Sequence, residues 1–494
     1  MKSLGEQRLK RDLGLLHTTM MGIGGAVCAG VFVTLGYAST LAGTSLIIVM
    51  ILCGIINLFT MLSYAELGAA LPSAGGEYTY AKVSFGGFIS FVTGWFEWVS
   101  NLFYAAFSAV GFAYLISYVV PGINVPILAI ITVLVFAAIN IKGIEETGRT
   151  QTALVLVLLA LLVIFIVLGL LTSQTSGTLG FSSPEGFLGM LKASAFVFVV
   201  YLGGEAIAVA QAEVKNPGKT IPRAILLTSF ALIFLYTAIA YVVFRVVTVD
   251  SLASQASPLA YVARQFLGEP GLIMITIAGI IAALSSVNTS VMAQSRVAYA
   301  LARDGYFPKA FYHVHRRFCT PYVAVLAGSV FVAAVAATGV VNFVTYATDF
   351  GFIIGFVFVN LSLIKLRQDK ASLARPFKVP LYPLTPVLGI VTSLLLIFFL
   401  EPGTLVIGVE LFLFSLLAYY IRMVGHYRLR IAVGGMNFAI STASAVFAFL
   451  LLSNSLPVAL SPGMSVLIPI IAIVTSLSCL GAGILDITTQ SSGD

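Results

Sequence analysis

The sequence predicts an all-α integral membrane protein with about 14 transmembrane helices. Three observations lead there: a composition too apolar for a soluble surface, a succession of apolar runs of bilayer length, and basic residues confined to alternate loops. Of 494 residues, 59% are hydrophobic and 9% are charged, with a mean hydropathy of +1.05. Soluble domains carry roughly 25% charged residues. A helix needs about 20 apolar residues to cross the hydrocarbon core. Runs of that kind fall near 15–38, 43–70, 86–118, 125–141, 151–172, 190–211, 224–247, 271–300, 321–341, 344–366, 383–400, 404–424, 432–452 and 465–486. They are too long and too continuously apolar for barrel strands.

The loops orient these segments. With the N-terminus inside, every Lys and Arg falls on the inner side except Lys192, Arg245 and Arg264, which leaves 23 of 26 inside. An extra or missing crossing would scramble that asymmetry, so the positive-inside rule supports both the count and a cytoplasmic-membrane topology with both termini cytoplasmic. The net charge of +7 thus belongs to short inner loops. No basic stripe with interleaved aromatics points to nucleic acid. Cys28, Cys53, Cys319 and Cys479 form no CxxC pair, which argues against a disulfide framework or a zinc site. The charged N-terminal stretch runs into a long apolar segment without an early cleavage site, so it reads as a cytoplasmic start. His17, His313, His315 and His426 lie near segment ends or in loops, and no GxSxG, Walker or HExxH pattern occurs. The chain therefore reads as a non-enzyme without a cofactor.

Two segments look interrupted. Segment 1, MMGIGGAVCAGVFVTLG, holds Gly22, Gly24, Gly25 and Gly30 with Ala26, Cys28 and Ala29 between them. Segment 6, AFVFVVYLGGEAIAVAQ, holds Gly203 and Gly204 followed at once by Glu205. Glycine inside a helix costs about 1 kcal/mol relative to alanine. Small residues also let membrane helices pack closely, which is the other use such glycines have. The pairing favours interruption. If segments 1–5 and 6–10 are two halves, each with an odd number of crossings, the second is inverted, and segments 1 and 6 correspond. Interrupted segments at matching positions of inverted halves point to a transport site. Broken helices present free N–H groups at one end and free C=O groups at the other. The first suit a carboxylate and the second an ammonium, so an α-amino acid zwitterion suits the pair.

The segment 1 run AVCAGVF, the stretch LSYAELGAALPSAGGEYTYAKVSFGG, the stretch AQAEVKNPGKTIPRAI and the later RPFKVPLYPLTPVLGI resemble the amino acid–polyamine–organocation (APC) transporters, over roughly residues 8–400. The resemblance implies a LeuT-like five-plus-five inverted-repeat core over 1–370, with segments 11–14 added over 371–494. It implies secondary active transport of amino acids by alternating access. The carboxylate would meet backbone N–H groups of a turn at Cys28, Ala29 and Gly30, where the family's first glycine is Cys28 here. The ammonium would meet carbonyls near Ala26, Val199, Val200 and Leu202, with Val27, Gly203 and Gly204 completing the two breaks. Family gating aromatics would map near Val199 or Gly204; neither is aromatic, which leaves Tyr201 as a candidate or the pocket roomier. The competing readings are a polyamine or other organic-cation transporter, and a channel or sensor on the same fold. Polyamines would want several acids at the site, whereas Glu205 is the one acid beside the breaks. A channel would want a repeated selectivity element and a sensor an output domain; the sequence has neither.

The coupling candidates are acids in apolar runs, where a charge costs at least about 2.5–3.5 kcal/mol. Glu205 follows the glycine pair and would either titrate or hold the break by a hydrogen bond. Asp349, in YATDFGF, is a coupling or outer-gate candidate. Glu66 belongs to the end motif of segment 2, where gating or capping outweighs proton transfer. Glu97 reads as interfacial or structural, and Glu410 as an outer-interface or packing residue. Some proton-coupled relatives carry a lysine in segment 5; the aligned position is near Leu158, and the segment has no lysine. Ser285 and Ser286 map to hydroxyls that ligate sodium in other relatives, and otherwise pack helices. The coupled ion is thus a proton, sodium or none.

Overall fold

The computed structural model describes residues 9–423 apart from 121, 174–176, 178–181, 256, 339–340 and 401, together with scattered positions between 437 and 451 and residues 464–488. The described residues are helical with short connections and no named strand. In chain order the helices are α1 (Leu15–Ala26), α2 (Gly30–Ala42), α3 (Leu46–Ala70), α4 (Gly76–Ser84), α5 (Gly87–Val119), α6 (Val125–Lys142), α7 (Ile144–Leu171), α8 (Gly186–Val197), α9 (Ala206–Val209), α10 (Pro217–Val246), α11 (Val249–Ala253), α12 (Pro258–Leu267), α13 (Glu269–Arg303), α14 (Tyr322–Ala337), α15 (Val341–Asp369), α16 (Leu384–Phe398), α17 (Pro402–Met423) and α18 (Met464–Thr488).

Among the described residues, eight helical stretches are long and apolar enough to cross a membrane, and three further apolar helices are shorter. One stretch, Gly30–Ala70, is 41 residues long, about twice a single crossing. It turns at Gly43, whose φ of +57° is left-handed and whose added Cβ would strike the Ser182 carbonyl. The run near 432–452 and the C-terminal end fall largely outside the described residues.

Helix boundaries follow local chemistry. Asn124 caps α6 by accepting the Ile127 N–H at 3.1 Å, with a proline in the first turn. The α10 helix starts earlier than the apolar run at 224, because Asn216 takes a left-handed conformation and Pro217 supplies the first helical residue. The α7 helix likewise starts at Ile144, since Thr147, Gln151 and Thr152 are buried against other helices although polar. Polar residues facing protein rather than lipid escape a hydropathy reading.

The core is built on α1, α3, α5, α10, α13 and α15, with α5 lying between α13 and α15 and α3 against α10. At the end that carries the N-terminus, Leu13 pairs with Val214, and Leu13 N donates to Glu213 O at 3.0 Å while Lys215 N donates to Leu13 O at 2.8 Å. Beside this bridge, Arg296 and Glu213 form a fully buried ion pair at 3.1 and 3.2 Å. Breaking such a pair from one side leaves an uncompensated buried charge, which costs about 3–5 kcal/mol.

Candidate functional site

The first interruption spans Val27–Ala29, between α1 and α2. Cys28 N turns back to Ala26 O at 2.8 Å, and Gly30 N donates to the Cys28 thiol at 3.2 Å. The thiol thus occupies an N–H at the start of α2. Two tyrosines satisfy carbonyls at the end of α1. Tyr104, from α5, donates to Gly25 O at 2.9 Å, and Tyr236, from α10, reaches Ala26 O at 3.3 Å.

The second interruption follows α8. Phe198–Tyr201 form a 3-10 turn, Leu202 is extended, and Gly203 takes φ +105° before α9 begins at Ala206. Both carboxylate oxygens of Glu205 accept the Gly203 N–H, at 2.8 and 2.9 Å. The acid therefore caps its own break. Tyr236 also donates to Val200 O at 2.7 Å, so one hydroxyl bridges the two interrupted segments.

The segments cross backbone to backbone. A Cβ added at Gly203 would overlap the Gly25 carbonyl and come within 2.8 Å of Ala26 N; one added at Gly25 would overlap the Gly203 carbonyl. Only residues without a Cβ allow that approach. Gly204 has open space, its nearest neighbour being Met61 Sδ at 3.7 Å. Gly30 faces Val199 and Val200, whose Cγ1 atoms lie 3.8 and 3.5 Å from its built Cβ. The structure thus gathers Ala26, Val27, Cys28, Ala29, Gly30, Val199, Val200, Leu202, Gly203, Gly204 and Glu205 around one crossing, all buried.

Other candidates lie elsewhere. Tyr201 points to α3, donating to Met50 O at 2.7 Å with its ring edge-on to Tyr236 at 5.0 Å. Asp349, on α15, is 7% exposed and has one buried carboxylate oxygen without a hydrogen-bond partner. Glu66 closes α3 onto the far end of α15: Arg367 binds it at 2.9 and 2.5 Å, Arg375 at 3.2 Å, and Val379 N at 2.7 Å. Ser285 and Ser286 both donate to Gly24 O, at 2.9 and 3.4 Å. Glu97 is buried within the protein and accepts the N–H groups of Glu77 and Tyr78 at 3.2 and 3.1 Å, capping α4, in keeping with the structural one of its two readings. Glu410 is 6% exposed and lines a cavity of about 370 Å³ with Leu405, Val409 and Phe447, away from the crossing.

Sequence reasoning missed several buried polar groups. Glu77 accepts the Tyr64 hydroxyl in a short contact. Tyr78 donates to Asp304 at 2.6 Å, and Lys82 pairs with the same carboxylate at 2.6 Å. Burial and then the bond to Asp304 hold the Tyr78 phenol above its ordinary range, so it stays a donor. Gln151, in α7, donates to Ser285 at 2.7 Å. The available signal was polar residues in segment 5 facing those of segment 8. Among the described residues no cluster of His, Cys, Asp and Glu could hold a metal ion.

Comparison with known proteins places the chain. The profile described as "Amino acid permease" matches residues 13–424. This chain belongs to the amino acid permease family. It is the APC-type family to which the YAEL, GGEY and EVKNP motifs pointed. The permease chain is 27% identical over 446 residues to the branched-chain amino acid permease BcaP of Bacillus subtilis (strain 168), covering 86% of this chain and 96% of that one. It is 28% identical over 412 residues to the BcaP of Lactococcus lactis subsp. cremoris (strain MG1363), covering 76% and 86%. It is 28% identical over 406 residues to a methylthioribose transporter of Bacillus subtilis (strain 168), covering 77% and 86%. Family and relatives are transporters, not enzymes, and the apolar helices make the permease a multi-pass membrane protein.

Proposed function

We propose that this permease is a secondary active amino acid transporter of the cytoplasmic membrane, binding its substrate where the two interrupted segments cross. The observation that carries the reading is the contact of Gly25 with Gly203, which brings the interrupted ends of both segments together in the bundle interior. The substrate carboxylate sits on N–H groups at the start of α2, and the ammonium on carbonyls of Ala26, Val199, Val200 and Leu202. Tyr104 holds the neighbouring Gly25 carbonyl, and Tyr236 positions the Ala26 and Val200 carbonyls themselves, whose second lone pairs are left for the ammonium.

The arrangement is a LeuT-like five-plus-five inverted repeat over 1–370, with further membrane helices over 371–494. Movement of one half against the other alternates access. Both termini are cytoplasmic, and the ion pairs of Glu66 and Glu213 then lie on the cytoplasmic side. Coupling rests on Glu205, which joins the break to the substrate cavity, with Asp349 as a second acid facing the interior. Two relatives named for branched-chain amino acids support a small apolar amino acid, since Val199 and Val200 offer an apolar wall. A polyamine would want several acids at the crossing, where the two interrupted segments contribute Glu205 alone.

Radiolabel uptake into proteoliposomes tests this, with leucine, isoleucine, valine, putrescine and methylthioribose under imposed proton or sodium gradients. Saturable uptake of the branched-chain amino acids is expected; uptake of putrescine or methylthioribose alone would overturn the substrate assignment. Strong labelling of a cysteine placed at Ser491 by an impermeant reagent added outside cells would overturn the orientation.

A further inference from the structure

The helices that follow the core hold a buried acid whose chemistry is left unfinished. A groove of about 370 Å³ runs along α17, lined by Leu405, Val406, Val409 and Leu413, with Ser444 and Phe447 of the next segment opposite. It opens away from the core, since Val409 is 56% exposed. The other face of α17 is anchored: Trp95 of α5 donates to Leu411 O at 3.2 Å, and Tyr419 stacks on Tyr306. One acid, Glu410, lines this apolar groove and is 6% exposed. Its Oε2 is buried without a hydrogen-bond partner.

The surroundings of that carboxyl supply no base. Thr475 and Cys479 of α18 stand beside it, and the Thr475 hydroxyl is likewise without a partner. Among the described residues Glu410 takes part in no ion pair. An acid in hydrocarbon is tolerated as its neutral form or beside a cation. Glu410 lies about 12 Å along α17 from Pro402 and about 20 Å from Met423. A phospholipid head group stays at the interface and does not reach that depth.

Ligand pockets of this size combine mostly apolar walls with a few placed polar groups. Here walls and polar group select one class. A zwitterion or an anion would find no cation for its negative group. A hydrocarbon tail would fill the groove but leave a buried polar atom unpaired, which is costly. An aliphatic amine satisfies both the walls and the acid.

We propose that the groove at Glu410 binds lipid-soluble amines, with the tail along α17 and Phe447 and the nitrogen on the Glu410 carboxyl. The amine enters from the bilayer as the free base. The O–H bond of Glu410 breaks, an N–H bond forms, and the resulting ammonium–carboxylate pair is net neutral. The site rests on the reading of α17 as a membrane helix and is independent of where amino acids bind.

The experiment is binding of radiolabelled n-octylamine to purified permease in phosphatidylcholine nanodiscs, measured against empty nanodiscs. The wild type should show a saturable component that unlabelled octylamine displaces and that 1-octanol and leucine do not. Glu410→Gln should weaken it by about tenfold or more, because a hydrogen bond to a charged group is worth that much. Ala443→Phe narrows the groove at an exposed position and should abolish binding, which decides the matter should Glu410→Gln not fold. A wild type without a saturable component overturns the proposal and leaves the groove to acyl chains. Displacement by 1-octanol overturns it, since the acid would then go unread, and displacement by leucine overturns it by placing the amine at the crossing. Undiminished binding in either folded variant overturns it as well. Saturable leucine uptake without octylamine binding leaves the transport reading standing and removes this one; octylamine binding without amino acid uptake does the reverse.

Discussion

The two interrupted segments solve the same problem with different means. In the first, carbonyls freed by the break are reached from a distance, Gly25 O by Tyr104 of α5 and Ala26 O by Tyr236 of α10, while the Gly30 N–H stays with the Cys28 thiol. In the second, the break is satisfied by its own neighbour, Glu205, two residues from the Gly203 N–H it accepts. The first interruption therefore depends on helix packing, and changes whenever α5 or α10 moves relative to α1. The second carries the support of its N–H along with it and shares Tyr236 with the first at the Val200 carbonyl.

Substitution of Gly203 should have the largest effect. Its φ of +105° is costly for any residue with a Cβ, by about 1–3 kcal/mol, and the Cβ would also overlap Gly25. Gly203→Ala is expected to lower the melting temperature strongly and abolish uptake, whereas Gly204→Ala, with open space, should keep both near wild type. Equal effects of the two, read by thermal unfolding and proteoliposome uptake, would show that the pair acts only through flexibility.

Glu205 separates the local support from any titrating role. Glu205→Ala leaves the buried Gly203 N–H unpaired, a loss of about 1–3 kcal/mol. Glu205→Gln keeps an acceptor for that N–H and removes the ionisable group. Glu205→Gln should bind substrate and exchange it, yet lose the pH dependence of net uptake. A pH profile of uptake that matches wild type would reduce Glu205 to structural support. Tyr236→Phe should have the smallest effect, about 1 kcal/mol of stability, because it removes one hydroxyl bridging Ala26 and Val200. Its KM should rise more than its turnover falls if the proposed ammonium site is at these carbonyls; an unchanged KM would detach the bridge from the site.

The legible part of this molecule was the part written in short-range pattern. Apolar runs marked most helices, since each crossing must bury about 20 residues' worth of backbone in lipid. Glycine clusters marked both interruptions to within a few residues, because backbone that leaves a helix demands small side chains locally. Segment 6 shows the limit: Gly203 and Gly204 look alike in sequence, and only the opposing Gly25 distinguishes them. Tyr201 was one of two alternatives for the family's gating aromatic, and the partner of its hydroxyl, Met50 O on α3, was not legible in the segment. Glu97 read as interfacial or structural beside Trp95 and Trp98, and which backbone its carboxylate serves, the start of α4, came only from the packed bundle.

By itself, the sequence determined that this is a helical membrane protein of the permease family, and where its helices yield. Both follow from properties of single segments: hydropathy over a bilayer length, glycine content and contiguous motifs. Which polar groups meet was decided by the tertiary structure alone. Glu66 with Arg367 and Arg375, Glu213 with Arg296, and Gln151 with Ser285 join positions separated by 83 to 309 residues. In a low-dielectric interior every buried polar atom needs a partner, but the partner's identity depends on which helix faces lie together, and no local pattern carries that information.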